Sequence, residues 1–419
     1  MYNEIKSHTG DPEMLEKLYR DDKKGFRTAF EKIYPEIADT EAARFWQVRL
    51  SYDSRPEMLK GFSLPELVRV IIPMVLVALL IKIPAFFSLA YTDEVFYFRN
   101  AALIVFAGLT FYTLSAAKIL DPGKLIFTII AFLVPAIYVN LLPAGASGPA
   151  INLVYIHLPL MIWFFFGYIY TGYDFSDLGK RISFIRYNGD LAIMYVLIAI
   201  AGGILTGITN GLFSSIGIDI EEFYAEYIIM TGAAAAPILA TFLIEKYPAL
   251  VSRTAPLIAT IFSPMVLITL IIFLITMVLT GKDPYNDREF LLIFNIMLLG
   301  VMGIIIFSVT ETAVLRNQKF NSAVLFALSV ITIIIDLIAL SAIFYRLGEY
   351  GLTPNRLAVL VSNVLVLINL ILIMTDLFRI TFRNSDFRIV ELSTAKFLPV
   401  YLIWILIVVF GFPLIFGFN

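Results

Sequence analysis

Polar and apolar positions divide this chain into two unequal parts. From residue 66 onward, apolar runs alternate with short charged segments. Each run reaches about 20 residues, enough to cross a bilayer as a helix. Eleven can be drawn, at about 68–90, 101–120, 125–142, 151–170, 190–212, 227–245, 255–280, 290–312, 323–345, 357–378 and 397–416. Residues 1–62 are charged and carry no signal-peptide core. There, Asp11 followed by Pro12 predicts a helix start, and Leu15, Leu18, Tyr19, Phe26, Phe30 and Ile33 recur at roughly helical spacing. A second short helix is predicted over "DTEAARFWQVRL", capped by Asp39 or Thr40. The expected fold is all-α: a polytopic transmembrane helical bundle of about 11 spans over 63–419, after a small helical cytosolic N-terminal domain over 1–62. That domain reads as a folded anchor or as a docking surface for a cytosolic protein partner.

Composition points the same way. Of 419 residues, 59% are hydrophobic and 15% charged, with a mean hydropathy of +0.86; a soluble domain is about a quarter charged. The lipid bilayer is therefore the expected partner. A net charge of −2 gives no bulk attraction to nucleic acid. The absence of cysteine excludes disulfide and thiolate chemistry, and the two histidines, His8 and His157, lie far apart, so no metal set and no cofactor is implied.

Charge distribution orients the spans. With the N-terminus inside, 25 of the 31 Lys and Arg residues fall on the inner side and 5 on the outer, with Lys82 within span one. A missed span would flip every later loop and spoil this bias. The odd count then puts the C-terminus outside.

Two inner segments echo each other. "RISFIRYNGD", from Arg181 to Asp190 with Arg186 and Asn188 between, follows span four, and "RITFRNSDF", from Arg379, follows span ten. Their outer partners "ASGPAINL" and "GLTPNRLAVL" each set a proline just before a helix. Aligning spans one to five with seven to eleven, with span six as connector, gives a 5+1+5 parallel repeat about an axis along the membrane normal. Transporters are often built from such repeats.

The outer segment "RLGEYGLTPNR", residues 346–356, reads as hairpin mechanics. Gly348 and Gly351 can take positive φ, Thr353 can cap, and Pro354 suits the first helical position. Arg356 is the exception, because a cation in a first helical turn opposes the helix dipole. Its expected holder is Glu349, beside Tyr350; a lipid headgroup or anionic ligand is the other candidate. "YRLGEYGLTPNR" also resembles the Tyr-Gly-Leu-Thr-x-x-Arg signature of the bacterial inner-membrane family called domain of unknown function 4153, and "FIRYNGDL" looks like a second family element. The resemblance covers 63–419 and implies a bacterial inner-membrane location; the charge bias then makes the expected N-terminus cytoplasmic and the C-terminus periplasmic. It transfers no activity.

Ionisable groups in hydrocarbon are costly and are functional candidates by default. Lys82, Asp336 and Asn363 fall at similar distances from the outer ends of their spans, and Lys82 and Asp336 carry opposite charge. They are expected to pair, as a static brace or as part of a solute or proton path, with Asn369 deeper in span ten. Glu311 and Asp376 lie near inner ends. His157, beside Pro159, is expected to bond a backbone carbonyl. Three functions compete: a permease-like protein moving a small solute, ion or lipid; a signalling or assembly platform working through residues 1–62; and a lipid-linked glycosyltransferase-like enzyme using Asp93 or Glu94 in "YTDEVFYFRN", whose outer loop is too short for the large one such enzymes carry.

Overall fold

The computed structural model describes residues 2–53, 63–87, 93–143, 148–281, 285, 288–313 and 319–417. Every regular element among them is helical, and the chain divides into two compact units, 1–64 and 65–419.

The described residues of the first unit form four helices: α1 (Tyr2–Ser7), α2 (Pro12–Asp21), α3 (Lys23–Ile37) and α4 (Glu41–Asp53). Asp11 caps α2 by accepting from the Met14 N–H at 3.1 Å, and Thr40 caps α4 by accepting from the Ala43 N–H at 3.2 Å. The periodic stretch from residue 12 to 34 is broken rather than continuous, because Asp22 caps a new helix through the Gly25 N–H. Leu15, Tyr19, Phe26, Phe30 and Ile33 then converge with Trp46 of α4 on one core. Arg49 closes it, stacked over Trp46 and Tyr19 and paired with Glu16 at 3.0 Å.

Among its described residues, the second unit contains eleven helices long and apolar enough to span a membrane. Spans one to four are α5 (Leu64–Ile81), α7 (Asp93–Ala117), α8 (Pro122–Leu141) and α9 (Pro149–Tyr170), with a one-turn α6 (Ile83–Phe86) after span one. Span five is α10 (Leu178–Ser215). Span six joins α11 (Glu221–Phe223), a π-helical segment Tyr224–Ile229 and α12 (Met230–Lys246). Spans seven to ten are α13 (Pro248–Thr280), α14 (Arg288–Thr312), α15 (Lys319–Tyr350) and α16 (Pro354–Arg383). Span eleven is α17 (Arg388–Leu406), a second π segment Ile407–Gly411 and α18 (Phe412–Phe416). Where span one begins is called the near end.

Three boundaries differ from the sequence reading. Span one stops at Ile81, with Lys82 at the break before Ile83-Pro84, rather than running to residue 90. The segment holding Arg181, Arg186, Asn188 and Asp190 is not a loop but the first turns of α10, started by the Asp177 cap. At 38 residues, or about 57 Å at 1.5 Å per residue, α10 exceeds any bilayer core. Its early turns bury Ile182, Phe184, Ile185 and Tyr187 inside the protein, while Leu197, Ile200, Ile204 and Leu212 are exposed as a lipid-facing surface. Arg379 lies in the last turns of α16, before the Asn384 turn, so the two echoing segments occupy different places relative to their turns.

The hairpin over residues 346–356 follows its predicted mechanics with one change. Gly351 takes φ +73° while Gly348 stays helical, and Thr353 accepts from the Arg356 N–H at 3.3 Å. The Arg356 guanidinium donates to the carbonyls of Tyr350 and Gly351, both at 2.7 Å, and lies over the Tyr350 ring. Its holder is thus the carbonyl end of α15 rather than the Glu349 carboxylate, since the turn brings those acceptors directly under the first turn of α16.

Candidate functional site

The centre of the second unit is a polar seam through an otherwise apolar core formed by α13 to α17. Hairpin pairing of α15 and α16 sets its levels. Asp336 lies 14 residues before Tyr350 and Asn369 lies 15 residues after Pro354, so each sits about 21–23 Å along its helix from the turn. Asp336 is 0% exposed, and neither of its carboxylate oxygens has a hydrogen-bond partner. Asn369 donates to the Tyr401 hydroxyl at 3.0 Å, while its own carbonyl oxygen has no partner. Tyr401, on α17, is close enough to Asp336 to feel its charge. Ser329 and Thr332 lie on the same buried face of α15 and spend their hydroxyl protons on carbonyls one turn back. Asn363, two turns nearer the hairpin, donates to Asn295 of α14 at 2.6 Å. The seam therefore holds three unsatisfied acceptors together, a rare arrangement in a packed interior.

Lys82 does not join it. The ammonium is 3% exposed, donates to Glu226 at 2.6 Å and sits over the Tyr227 ring at 4.3 Å. The π-helical turn at Tyr224–Ile229 brings both partners to it. The equal-depth argument fails because α15 continues through Arg346 to Tyr350, placing Asp336 deeper than its apolar run suggested, whereas span one ends before Lys82.

A second polar group lies at the near end. Arg186 of α10 donates to Glu391 of α17 at 2.7 Å and to the Thr310 carbonyl of α14 at 3.2 Å. Asp190, one turn on, and Glu311 of α14 face the same guanidinium. Gly189 permits this convergence, because a Cβ there would meet the Phe307 ring at 2.3 Å. Asn188 instead anchors α9, accepting from Trp163 at 2.7 Å, and Arg181 ties α10 to the Ala395 carbonyl at 3.1 Å. Asp376 accepts from Ser393 at 2.5 Å.

Sequence reasoning missed two features. Arg99, assigned to an outer loop, lies inside α7 at 1% exposure, with hydrogen bonds to Tyr155 and to the carbonyls of Leu142 and Pro143 at 3.0 and 3.1 Å. It caps the carbonyl end of α8, and its place six residues after Asp93 was the available signal. Glu226 was passed over because it falls at the edge of its apolar run. His157 bonds the Leu153 carbonyl at 2.8 Å. Glu94 is exposed in the first turn of α7, and the Asp93 side chain lies outside the described residues.

Among the described residues no three His, Cys, Asp or Glu side chains could hold one metal ion. No protein-family model matches the chain, and no curated protein or solved structure matches it.

Proposed function

We propose that this membrane protein is a permease-like carrier that couples movement of a small solute to a proton on Asp336. One observation carries the reading: a carboxyl at mid-span, wholly buried, with both oxygens unpartnered beside the free carbonyl oxygen of Asn369. A bare carboxylate in that setting costs several kcal/mol. A proton removes the cost, and the Asn369 oxygen and Tyr401 hydroxyl can then bond to the acid. A static brace would have its acceptors satisfied, as Asn363 and Asn295 do.

The bias of basic residues supports a cytoplasmic near end and a periplasmic C-terminus in a bacterial inner membrane, and the Tyr-Gly-Leu-Thr segment supports membership of domain of unknown function 4153. The 5+1+5 repeat is part of the proposal. In its favour, spans four and ten pack together, as do five and eleven; span four packs on two and three, and span ten on eight and nine. The contact of span nine along span ten is far longer than that of three on four. A platform role through residues 1–62 is favoured by Phe45 and Val48, exposed on α4 beside a completed core.

The test uses liposomes holding the purified protein and a trapped pH dye. Sugars, amino acids, nucleosides and organic acids are added outside one at a time under an imposed pH gradient. Solute-dependent proton movement with the wild type, absent with Asp336→Asn, is expected. No such movement for any class, or an equal response from Asp336→Asn, overturns the reading. Retention of movement after deletion of residues 1–62 separates transport from the platform role.

A further inference from the structure

The near-end group has an unbalanced inventory. Glu391, Asp190 and Glu311 come from three different helices and face one guanidinium, Arg186. Arg186 spends its hydrogen bonds on Glu391 and the Thr310 carbonyl. Arg388 and Asp386, flanking the start of α17, act on Glu391 and oppose each other. The other helices packed on α14, namely α13, α15 and α16, bring no titratable group that acts on Glu311 among the described residues. Glu311 is left 5% exposed with no hydrogen bond or ion pair among the described residues. A structural ion pair would need Arg186 and Glu391 alone.

Exposure is graded across the group. The Arg186 side chain is 36% exposed, whereas Glu391 and Glu311 are both buried, at 8% and 5%. Arg186 meets near-end solvent and donates to the Thr310 carbonyl, the residue just before Glu311, so Glu311 lies next to a guanidinium that solvent reaches. Since no three of these carboxylates could hold one metal ion, a ligand that needs a single oxygen fits better than a coordinated cation. The same helix, α17, links this group to the central seam. Glu391, Thr394 and Tyr401 follow one another along it, the first and last about 15 Å apart by helical rise.

We propose that Glu311, set among Asp190, Glu391 and Arg186, is a second proton-binding site, loaded from the near end and supplying the proton that Asp336 carries. The inference rests on the proton-linked reading of Asp336 for its second half only. Loading forms one O–H bond on a Glu311 oxygen and breaks one in a hydronium ion, leaving water. Delivery returns Glu311 to the carboxylate and protonates Asp336. The Arg186–Glu391 pair holds the entrance, and Asp190 adds the negative charge that draws the proton in.

Infrared difference spectroscopy after a pH jump reads the two acids separately, because only a protonated carboxyl gives the acid C=O stretch. Full-length reconstituted protein is compared with Asp336→Asn, Glu311→Gln and the double variant. Two bands are expected in the wild type; Asp336→Asn removes one, Glu311→Gln the other, and the double variant both. With Glu311→Gln the Asp336 band should also rise at least tenfold more slowly after acidification of the near side. Asp190→Asn, which leaves Glu311 in place, should shift the Glu311 band and keeps the idea testable if Glu311→Gln does not fold. Loss of only the Asp336 band across the series, with the Glu311 and Asp190 variants silent, overturns the second site and leaves the central one standing. A Glu311 band without an Asp336 band keeps the second site and overturns the central reading. A response to sodium at fixed pH, in place of a response to pH, overturns proton binding at Glu311.

Discussion

Replacing Asp336 by alanine separates a carrier from a scaffold by sign. Had Asp336 been half of a buried ion pair with Lys82, its removal would strand a charge and cost about 3–5 kcal/mol. With both oxygens unpartnered and the residue 0% exposed, the change instead removes two unmet acceptors. Unmet buried polar groups cost about 1–3 kcal/mol. The void left by a carboxyl, roughly 40 Å³, costs about 1 kcal/mol at about 24 cal/mol per Å³. Alanine also gains roughly 0.5 kcal/mol of helix propensity over aspartate. The balance is a stabilisation of about 0.5–2.5 kcal/mol. Thermal unfolding in detergent at alkaline pH, where Asp336 carries no proton, followed by tryptophan fluorescence or aggregation, should show a midpoint higher by about 1–4 °C. Proton-linked transport should be lost in the same sample. More stability with less activity is the signature of a strained functional group. A fall in the midpoint of several degrees would mean that Asp336 has a partner in the folded protein, and the case for an acid kept free for a proton would fail.

At the Lys82–Glu226 pair the two single changes should be unequal. Glu226→Gln leaves an ammonium that is 3% exposed and should cost about 3 kcal/mol, whereas Lys82→Met leaves a carboxylate that is 46% exposed and should cost about 1 kcal/mol, with the double variant recovering part of the loss; equal costs in detergent melts would count against the pairing. Arg99→Gln should lower stability by about 2–4 kcal/mol, because the carbonyls of Leu142 and Pro143 lose a charged donor at a buried helix end, and an unchanged melting midpoint would refute that role. In the first unit, hydrogen bonds from Lys6 and then Tyr2 hold the Glu36 carboxyl below the ordinary 4.5. A depressed carboxyl contributes stability above its unfolded value and loses it as pH falls through the folded one. Protection of α1 amides in the full-length protein should therefore drop as pH falls from above 4.5 through the depressed folded value, and Glu36→Gln should abolish that part of the drop.

What could be read from the sequence follows from how many residues each inference averages over. Eleven spans emerged because each apolar run carries some 20 residues of the same signal. The hairpin at Gly351-Thr353-Pro354 emerged because its backbone chemistry is local: a positive φ, a side-chain cap and a fixed φ in consecutive positions. Asp336 was singled out because any acid in hydrocarbon is anomalous without reference to its neighbours. Its partner could not be chosen on the same terms. Depth counted from the ends of apolar runs assumes that helices end where hydropathy does, and α15 runs five residues further, to Tyr350.

Arg186, Asp190, Glu311 and Glu391 illustrate the deeper limit. Separated by up to 205 positions, they meet only because α10, α14 and α17 pack at the near end, and Gly189 lets α10 approach Phe307 closely enough. Nothing in a hydropathy profile encodes which span lies beside which. The composition of their local segments even misled: "RISFIRYNGD" has the charge of an inner loop, yet Asp177 caps a helix that runs straight through it. Those charges serve two requirements at once. They make the near end polar, which is the bias that the count of basic residues registers. They also join three helices around Glu311, which only the assembled bundle brings to face them.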